Sequence, residues 1–239
     1  MTVYEFDVAI PSYLCNKHDR LRLGAAAGLL QEAAWQHARV LGATLVDAED
    51  PGYWVLRTLS WRIDRMPRWD QIVRIRTWPS VIAKLQVHRE YQIEAADGAA
   101  LGCATAAWVI VDRAGKPLRP ERVLPSGFPL PQQRALEPGK RVRAIGAEVY
   151  RDLLRAAPAH RVRPSEVDRN EHVNNTQYLQ WIGDWAEESA TGGRTYQYVA
   201  SLKLGWSYKV LRDGAVTEVW GVPEGAEPFV AFRAGPLER

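Results

Sequence analysis

Asp168-Arg169-Asn170-Glu171-His172-Val173-Asn174-Asn175-Thr176-Gln177-Tyr178-Leu179-Gln180-Trp181 sets a carboxylate, an amide and an imidazole at alternate positions, directly ahead of a helical pattern. Apolar residues recur at Tyr178, Ile182, Trp185 and Ala186, the spacing that lines one face of a helix. The polar groups therefore sit where a loop delivers them to a helix N-terminus, whose first backbone N–H groups lack partners within the helix. This arrangement suits attack on a carbonyl, with the carboxylate activating a water and amide donors holding the oxyanion. A plainer reading has Asn174 and Asn175 capping the helix while Asp168 and His172 belong to a solvated loop.

Outward from this stretch, the chain reads as one pattern twice over. A strand near Val3 to Ile10 precedes a helix from about Leu23 to Leu41, with Leu23, Ala27, Leu30, Ala34, His37 and Leu41 on one face. Gly42 stands where a helix ends. Strands follow near Trp54 to Ile63, Gln71 to Trp78, Val87 to Ala95 and Ala99 to Val111, with Asp97-Gly98 as a two-residue hairpin turn. A Pro- and Gly-rich segment, roughly Lys116 to Gly139, reads as a linker. The second half restarts with a strand near Glu148 to Leu153, then the motif loop and a helix to about Ser189. Strands near Tyr198 to Tyr208, Ala215 to Val222 and Phe229 to Arg233 complete it.

The repeat is also visible in the letters. Asp70-Gln71-Ile72-Val73 ending at Trp78 parallels Asp213-Gly214-Ala215-Val216 ending at Trp220, and Asn16, Arg20 and Leu21 stand where Asp168, His172 and Val173 stand later. The first copy keeps the frame without the acid and the imidazole, as expected if one half shapes a cavity and the other carries chemistry. The expected units are residues 1–115, a linker over 116–139, and residues 140–239.

Composition is that of an ordinary globular protein of 239 residues with net charge +3. Cys15 and Cys103 lie far apart without CxxC spacing, which argues against a zinc site or a disulfide framework and for a reducing compartment. The N-terminus lacks a basic region followed by an apolar run, and no apolar stretch reaches transmembrane length, so the expected location is the cytoplasm. Neither a nucleotide loop nor a metal-ligand cluster is visible, so no cofactor and no metal are expected. Lys140, Arg141, Arg143, Arg151, Arg155, Arg161, Arg163 and Arg169 form a basic run leading to the motif. It reads either as a solvated surface or as a rim that steers an acidic partner. Nucleic acid is not expected, because no binding module or stacking pattern accompanies the charge.

The motif closely resembles that of the hotdog-fold acyl-acyl carrier protein thioesterases. Their Asp-x-Asn-x-His signature corresponds to Asp168, Asn170 and His172, followed by Val173, Asn174, Asn175 and Tyr178. In the first half, Leu29 to Ala34 with His37 and Gly42, Trp54 to Arg57, Thr77-Trp78, Arg89-Glu90-Tyr91 and Trp108 to Asp112 are similar to other segments of that family. The resemblance implies an α+β fold, a tandem (double) hotdog with two long helices each packed on an antiparallel β-sheet. It also implies hydrolysis of an acyl thioester, with an acidic acyl carrier protein as partner. Asp168 would be the base, His172 would orient or relay the proton, Asn170 would position water or the thioester oxygen, and backbone N–H groups from Asn174 to Thr176 would form the oxyanion site. Association into oligomers is compatible with this reading and not decided by it.

The chain departs from the family at two places. Aligning Leu204 to Val210 with the strand that carries the family's Glu and Cys puts Lys209 at the Glu and Val210 at the Cys. That excludes a cysteine nucleophile there, and a Lys beside Asp168 would favour its ionised form and weaken it as a base. The strand equivalent to Ala104 to Val111 has no evident second-half partner. Other readings of the same resemblance are a non-catalytic acyl-carrier-binding protein, an acyl-CoA thioesterase, and a hotdog dehydratase or hydratase. Ten tryptophans supply large buried area, and a long apolar slot for an acyl chain would draw on the same residues.

Overall fold

The computed structural model describes residues 2–45, 52–185 and 191–238. Its first half runs β1 (Tyr4–Ala9), α1 (Leu23–Val40), β2 (Tyr53–Ile63), β3 (Ile72–Ala83), β4 (Gln86–Ala95) and β5 (Ala100–Val111). After a short α2 (Pro120–Val123) and α3 (Ala147–Ala156) come β6 (His160–Arg161), α4 (Asn175–Trp185), β7 (Gly192–Tyr198), β8 (Ser207–Asp213), β9 (Val216–Val222) and β10 (Phe229–Pro236). The sequence reading carried the motif helix on to Ser189; residues 186–190 lie outside the described residues.

All strands join one antiparallel sheet in the order β1-β3-β4-β5-β2-β7-β10-β9-β8-β6. The order is symmetric about the contact of β2 with β7, so β10 fills the position that β5 holds in the first half. The strand that seemed to lack a second-half partner therefore has one. It is shorter, and it pairs with both β7 and β9 as β5 pairs with β2 and β4.

Alternation along the strands assigns the two faces. Leu59 and Trp61, Val73 and Ile75, Tyr91 and Ile93, and Tyr196 and Phe232 join the core on the face that carries α1 and α4. Helix α1 buries Leu23, Ala27, Leu30, Ala34 and His37 of the expected stripe and adds Gly24, Ala33 and Ala38, while Leu41, also expected there, lies just past the helix end and is only half-buried. Small side chains let α1 lie close to the sheet and to α4. Gly42 adopts φ 65° just past the helix end.

The opposite face is covered by the segment that reads as a linker. Gln132 N–H donates to Ser80 O at 3.1 Å and Trp78 Nε1–H to Gln133 O at 2.8 Å. Farther along, Ala135 N–H donates to Glu90 Oε2 at 3.1 Å, Gly139 N–H to Ser60 Oγ at 3.0 Å and Ile145 N–H to Glu218 Oε1 at 3.4 Å. The segment is a strap that crosses the sheet from β3 to β9. Its prolines suit the task, since they favour extended backbone and bring no N–H to satisfy. Glu90 is fully buried beneath it; burial pushes its carboxyl up, opposed by bonds from Ser80, Ala135 and Thr105 and by the charge of Arg134.

Three sequence expectations are corrected here. Glu148 to Leu153 lies in helix α3, because Tyr150 stacks on Trp220 at 5.0 Å and the apolar positions Tyr150, Leu153 and Leu154 follow helical spacing. The strand expected from Tyr198 to Tyr208 is two strands, β7 and β8, separated by a turn in which Gly205 has φ 76°. Finally, the letter match of Asp70 with Asp213 is out of register, since it maps β3 onto β9. Asp70 and Gly205 are the structural equivalents: both have positive φ, and Asp70 N–H donates to Ile10 O as Gly205 N–H donates to Val162 O.

Candidate active site

The motif loop is a tight closed turn. Val167 and Val173 form an isolated bridge, Asp168 N–H donates to His172 O at 2.8 Å, and Glu171, at φ 60°, donates to Asp168 O at 3.0 Å. One Asp168 carboxylate oxygen accepts the Asn170 N–H at 2.8 Å, so the side chain that reads as a base also shapes its own loop. Asp168 and His172 are half-buried and Asn170 is exposed. Among the described residues the His172 imidazole makes no hydrogen bond to Asp168 or to any other group. The structure thus brings the three side chains onto one turn without linking them into a relay.

The loop is then tied down on both sides. Val173 N–H donates to Leu202 O at 2.9 Å, Leu202 N–H donates to the Tyr178 hydroxyl at 3.1 Å, and Asn174 N–H donates to Glu166 O at 2.9 Å. Glu166, which the sequence reading passed over, is buried. Its carboxylate accepts from Arg163 N–H at 2.8 Å, from the Arg163 guanidinium at 2.9 Å and from Trp181 Nε1–H at 3.0 Å. These bonds hold the Glu166 carboxyl below the usual range even though burial, the largest single influence, pushes it up. The Tyr178 hydroxyl is pushed up chiefly by burial; the Leu202 N–H opposes this and the charge of Asp168 adds to it.

Asn174 is the helix cap: its Oδ1 accepts Thr176 N–H at 3.0 Å and Thr176 Oγ1–H at 2.8 Å. This narrows the donor set expected over Asn174, Asn175 and Thr176. The N–H groups of Asn174 and Thr176 are engaged, and among the described bonds the Asn175 N–H alone stays open at the helix start. Asn175 O accepts from the Tyr198 hydroxyl at 3.2 Å, which fixes that residue from the sheet side.

Asn175 and Thr176 line the mouth of a narrow slot between α1 and the sheet, whose other walls are Ala27, Leu30, Gln31, Leu56, Leu59, Tyr91, Ala106, Trp108 and Tyr198. A second apolar pocket lies on the far side of Leu30, among Leu21, Ala26, Leu29, Ile63, Met66, Ile93 and Leu101. Asp168, Asn170 and His172 line neither; the slot meets the motif at the helix start. Space opens on this side because α1 presents Ala27 to the slot and Ala26 to the pocket beyond it. The corresponding space under α4 is filled by Tyr178, Trp181, Tyr196, Tyr198 and Phe232, stacked in one aromatic cluster.

The first half holds a matching loop without the acid. Cys15 and Leu21 form the bridge, Asn16 N–H donates to Arg20 O at 2.8 Å, Asp19 adopts φ 57°, and Asn16 Oδ1 accepts the Arg20 N–H at 3.1 Å. Helices α1 and α4 meet through Gly24, whose added Cβ would lie 2.8 Å from Thr176 O.

Lys209 does not face the motif. Its neighbour Tyr208 stacks on Trp181 at 3.8 Å on the helix side, so Lys209 projects from the strap side of β8 and donates from Nζ to Leu154 O of α3 at 2.7 Å. Val210 returns to the core face. The expected weakening of Asp168 by Lys209 is therefore withdrawn. The basic run is divided as well: Lys140 to Arg155 belong to the strap and α3, while Arg161, Arg163 and Arg169 stay beside the motif.

Comparison with known proteins agrees with this geometry. Residues 1–126 match the Acyl-ACP thioesterase N-terminal domain and residues 155–223 the Acyl-ACP thioesterase C-terminal domain. The oleoyl-acyl carrier protein thioesterase 2, chloroplastic, of Arabidopsis thaliana is 24% identical over 200 residues, 75% of this chain and 53% of that protein. The palmitoyl-acyl carrier protein thioesterase, chloroplastic, of Gossypium hirsutum is 25% identical over 197 residues, 75% of this chain and 46% of that one. The chain thus spans about half the length of the curated relatives it matches. In fold it is similar to an acyl-ACP thioesterase from Bacteroides thetaiotaomicron, with TM-score 0.80 and 21% identity over 98% of this chain and 97% of that one. It is also similar to the 12:0-ACP thioesterase from Umbellularia californica, with TM-score 0.73 and 18% identity over 99% and 97%. A ten-stranded antiparallel sheet with two helices meeting across it, the capped motif loop and matches to both domains of one family together make the chain a member of the acyl-ACP thioesterase family.

Proposed function

We propose that the protein hydrolyses the thioester of an acyl-acyl carrier protein and releases a free fatty or related carboxylic acid. The observation that carries this reading is the meeting of an apolar slot with an open N–H at Asn175, one loop away from the Asp168 carboxylate. The acyl chain lies in the slot between α1 and the sheet. Asp168 activates water, Asn170 and His172 orient it, and the Asn175 N–H with the helix N-terminus stabilises the oxyanion. The slot's free volume is small, about 10 Å³, so the chain enters as Leu30, Gln31 and neighbouring side chains rotate apart.

The same reading treats the chain as a tandem hotdog in which residues 1–115 form the cavity half and 140–239 the half with the motif, the strap joining them. Support comes from the symmetric strand order and the paired loops around Asn16 and Asp168. An acidic carrier protein would dock beside Arg161, Arg163 and Arg169. The proposed place of action is the cytoplasm; no described helix is long and apolar enough to cross a membrane.

The test is Asp168→Asn, which preserves size and removes proton acceptance. kcat on acyl-carrier-protein thioesters should fall by roughly two or more orders of magnitude. Unaltered hydrolysis would move the role elsewhere, and absence of hydrolysis by the native chain would favour a binding protein. Carrier-protein thioesters should also be cleaved faster than matching CoA thioesters, by a margin that shrinks with salt.

A further inference from the structure

The wall of the slot beyond Asn175 is not pure hydrocarbon. Trp108 contributes a buried indole Nε1–H that has no acceptor. Tyr91, on the neighbouring strand, is 1% exposed and lines the same slot, its hydroxyl beside the Trp108 indole without completing a well-aligned hydrogen bond to it. Burial pushes the Tyr91 phenol up to about 12, so it stays a neutral O–H donor at ordinary pH.

One step along the same face of β4, Arg89 is 8% exposed. Its guanidinium donates to Thr77 Oγ1 at 3.3 Å and lies 3.2 Å from His37 Nδ1. A slot meant only for hydrocarbon gains nothing from such groups, because a buried N–H or O–H without a partner costs free energy that an apolar isostere would not. Trp61 and Tyr196 carry similar unpartnered groups, but neither lines this slot or the pocket beyond Leu30. Trp108 and Tyr91 differ in lining the slot that opens when Leu30 and Gln31 rotate apart.

We propose that the slot selects acyl chains bearing a hydroxyl or keto oxygen, which accepts hydrogen bonds from Trp108 Nε1–H and the Tyr91 hydroxyl, over plain saturated chains of the same length. The proposal rests on the thioesterase reading above. Selectivity follows from the asymmetry of buried hydrogen bonds: an oxygenated chain accepts from both donors, whereas a plain chain leaves them only their poorly aligned contact with each other and displaces any water that served them. Each bond is expected to contribute about tenfold in kcat/KM.

The experiment compares octanoyl, hydroxyoctanoyl and oxooctanoyl carrier-protein thioesters, with the oxygen placed near the thioester or near the chain end. Native protein and the variants Trp108→Phe and Tyr91→Phe are assayed for kcat/KM. The native enzyme should favour at least one oxygenated chain over octanoyl by about tenfold or more, and Trp108→Phe should reduce that ratio by about tenfold. Equal kcat/KM for plain and oxygenated chains overturns the proposal while leaving the thioesterase reading intact. So does a ratio unmoved in both variants. Failure to cleave any of these thioesters overturns both. The native comparison stands alone if a variant does not fold.

Discussion

One added methyl group separates two glycines that look alike in the sequence. Gly24 and Gly28 lie one turn apart on α1, on the side that meets α4. A Cβ at Gly24 would stand 2.8 Å from the Thr176 carbonyl oxygen and 2.9 Å from Gln180 Cβ, whereas one at Gly28 would meet Thr176 Cγ2 at 3.8 Å. The first contact is with backbone, so it is relieved only if α4 moves by roughly half an ångström or more to regain van der Waals distance. Overpacking of this kind costs about 1–3 kcal/mol. The propensity of Ala over Gly returns at most about 1 kcal/mol, less at the second residue of a helix. Gly24→Ala should therefore lose up to about 3 kcal/mol, a fall of several degrees in Tm for a chain this size. Gly28→Ala should gain up to about 1 kcal/mol and raise Tm by about 2–4 °C. Because the shift falls on Thr176, at the start of α4, Gly24→Ala should also slow thioester hydrolysis by about tenfold, since an ångström of misplacement can cost about a hundredfold. Thermal melts and kcat measured on the two variants side by side check this. Equal stability and equal activity of the two would refute the close helix approach and the dependence of the site on it.

Other outcomes follow from the same geometry. Leu30→Ala should join the slot to the pocket beyond it, shifting preference toward longer or bulkier acyl chains at a stability cost of about 2–5 kcal/mol, read by a chain-length series and a melt. Lys209→Ala and Lys209→Glu should leave the hydrolysis rate and its pH profile unchanged. They should also loosen α3, read as faster proteolysis within residues 147–156. His88 is held below its usual pKa by burial and by the charge of Arg134, and His160 by burial against a smaller opposing effect of Glu166. Unfolded imidazoles titrate near about 6.5 while these two resist protonation when folded. The folded state thus binds fewer protons, and stability present above that pH should fall as pH drops below it, with urea midpoints as a function of pH as the measure.

Much of the frame was legible from local rules. The α1 stripe, the Asp97-Gly98 turn and the start of α4 at Asn175 follow from helical spacing, turn chemistry and capping, which involve residues close together in the chain. Misreadings came where local signals are ambiguous. Glu148 to Leu153 suits either a strand or a helix, and the stacking of Tyr150 on Trp220 settles it. The proline-rich segment carries the marks of a linker, yet Glu90 and Glu218 lie far from it in sequence and give its N–H groups buried partners. Glu166 looks like any loop acid until Trp181 turns its indole toward it. Gly24 and Gly28 are indistinguishable by type, and only the crossing of α4 makes one of them tight.

By itself, the sequence determined the motif, its delivery to a helix N-terminus and the alternation of strands, because these depend on neighbours a few residues away. Which N–H remains open at that terminus, which half holds the narrow slot beside α1, and which face of β8 carries Lys209 were decided by tertiary structure alone. The reason is physical. Each depends on side-chain volume and on hydrogen-bond partners brought from distant parts of the chain. Asn174 consumes one donor and Glu166 another, the aromatics beneath α4 fill the space there while Ala27 of α1 leaves a narrow slot, and the pairing of Tyr208 with Trp181 sets the register of the strand.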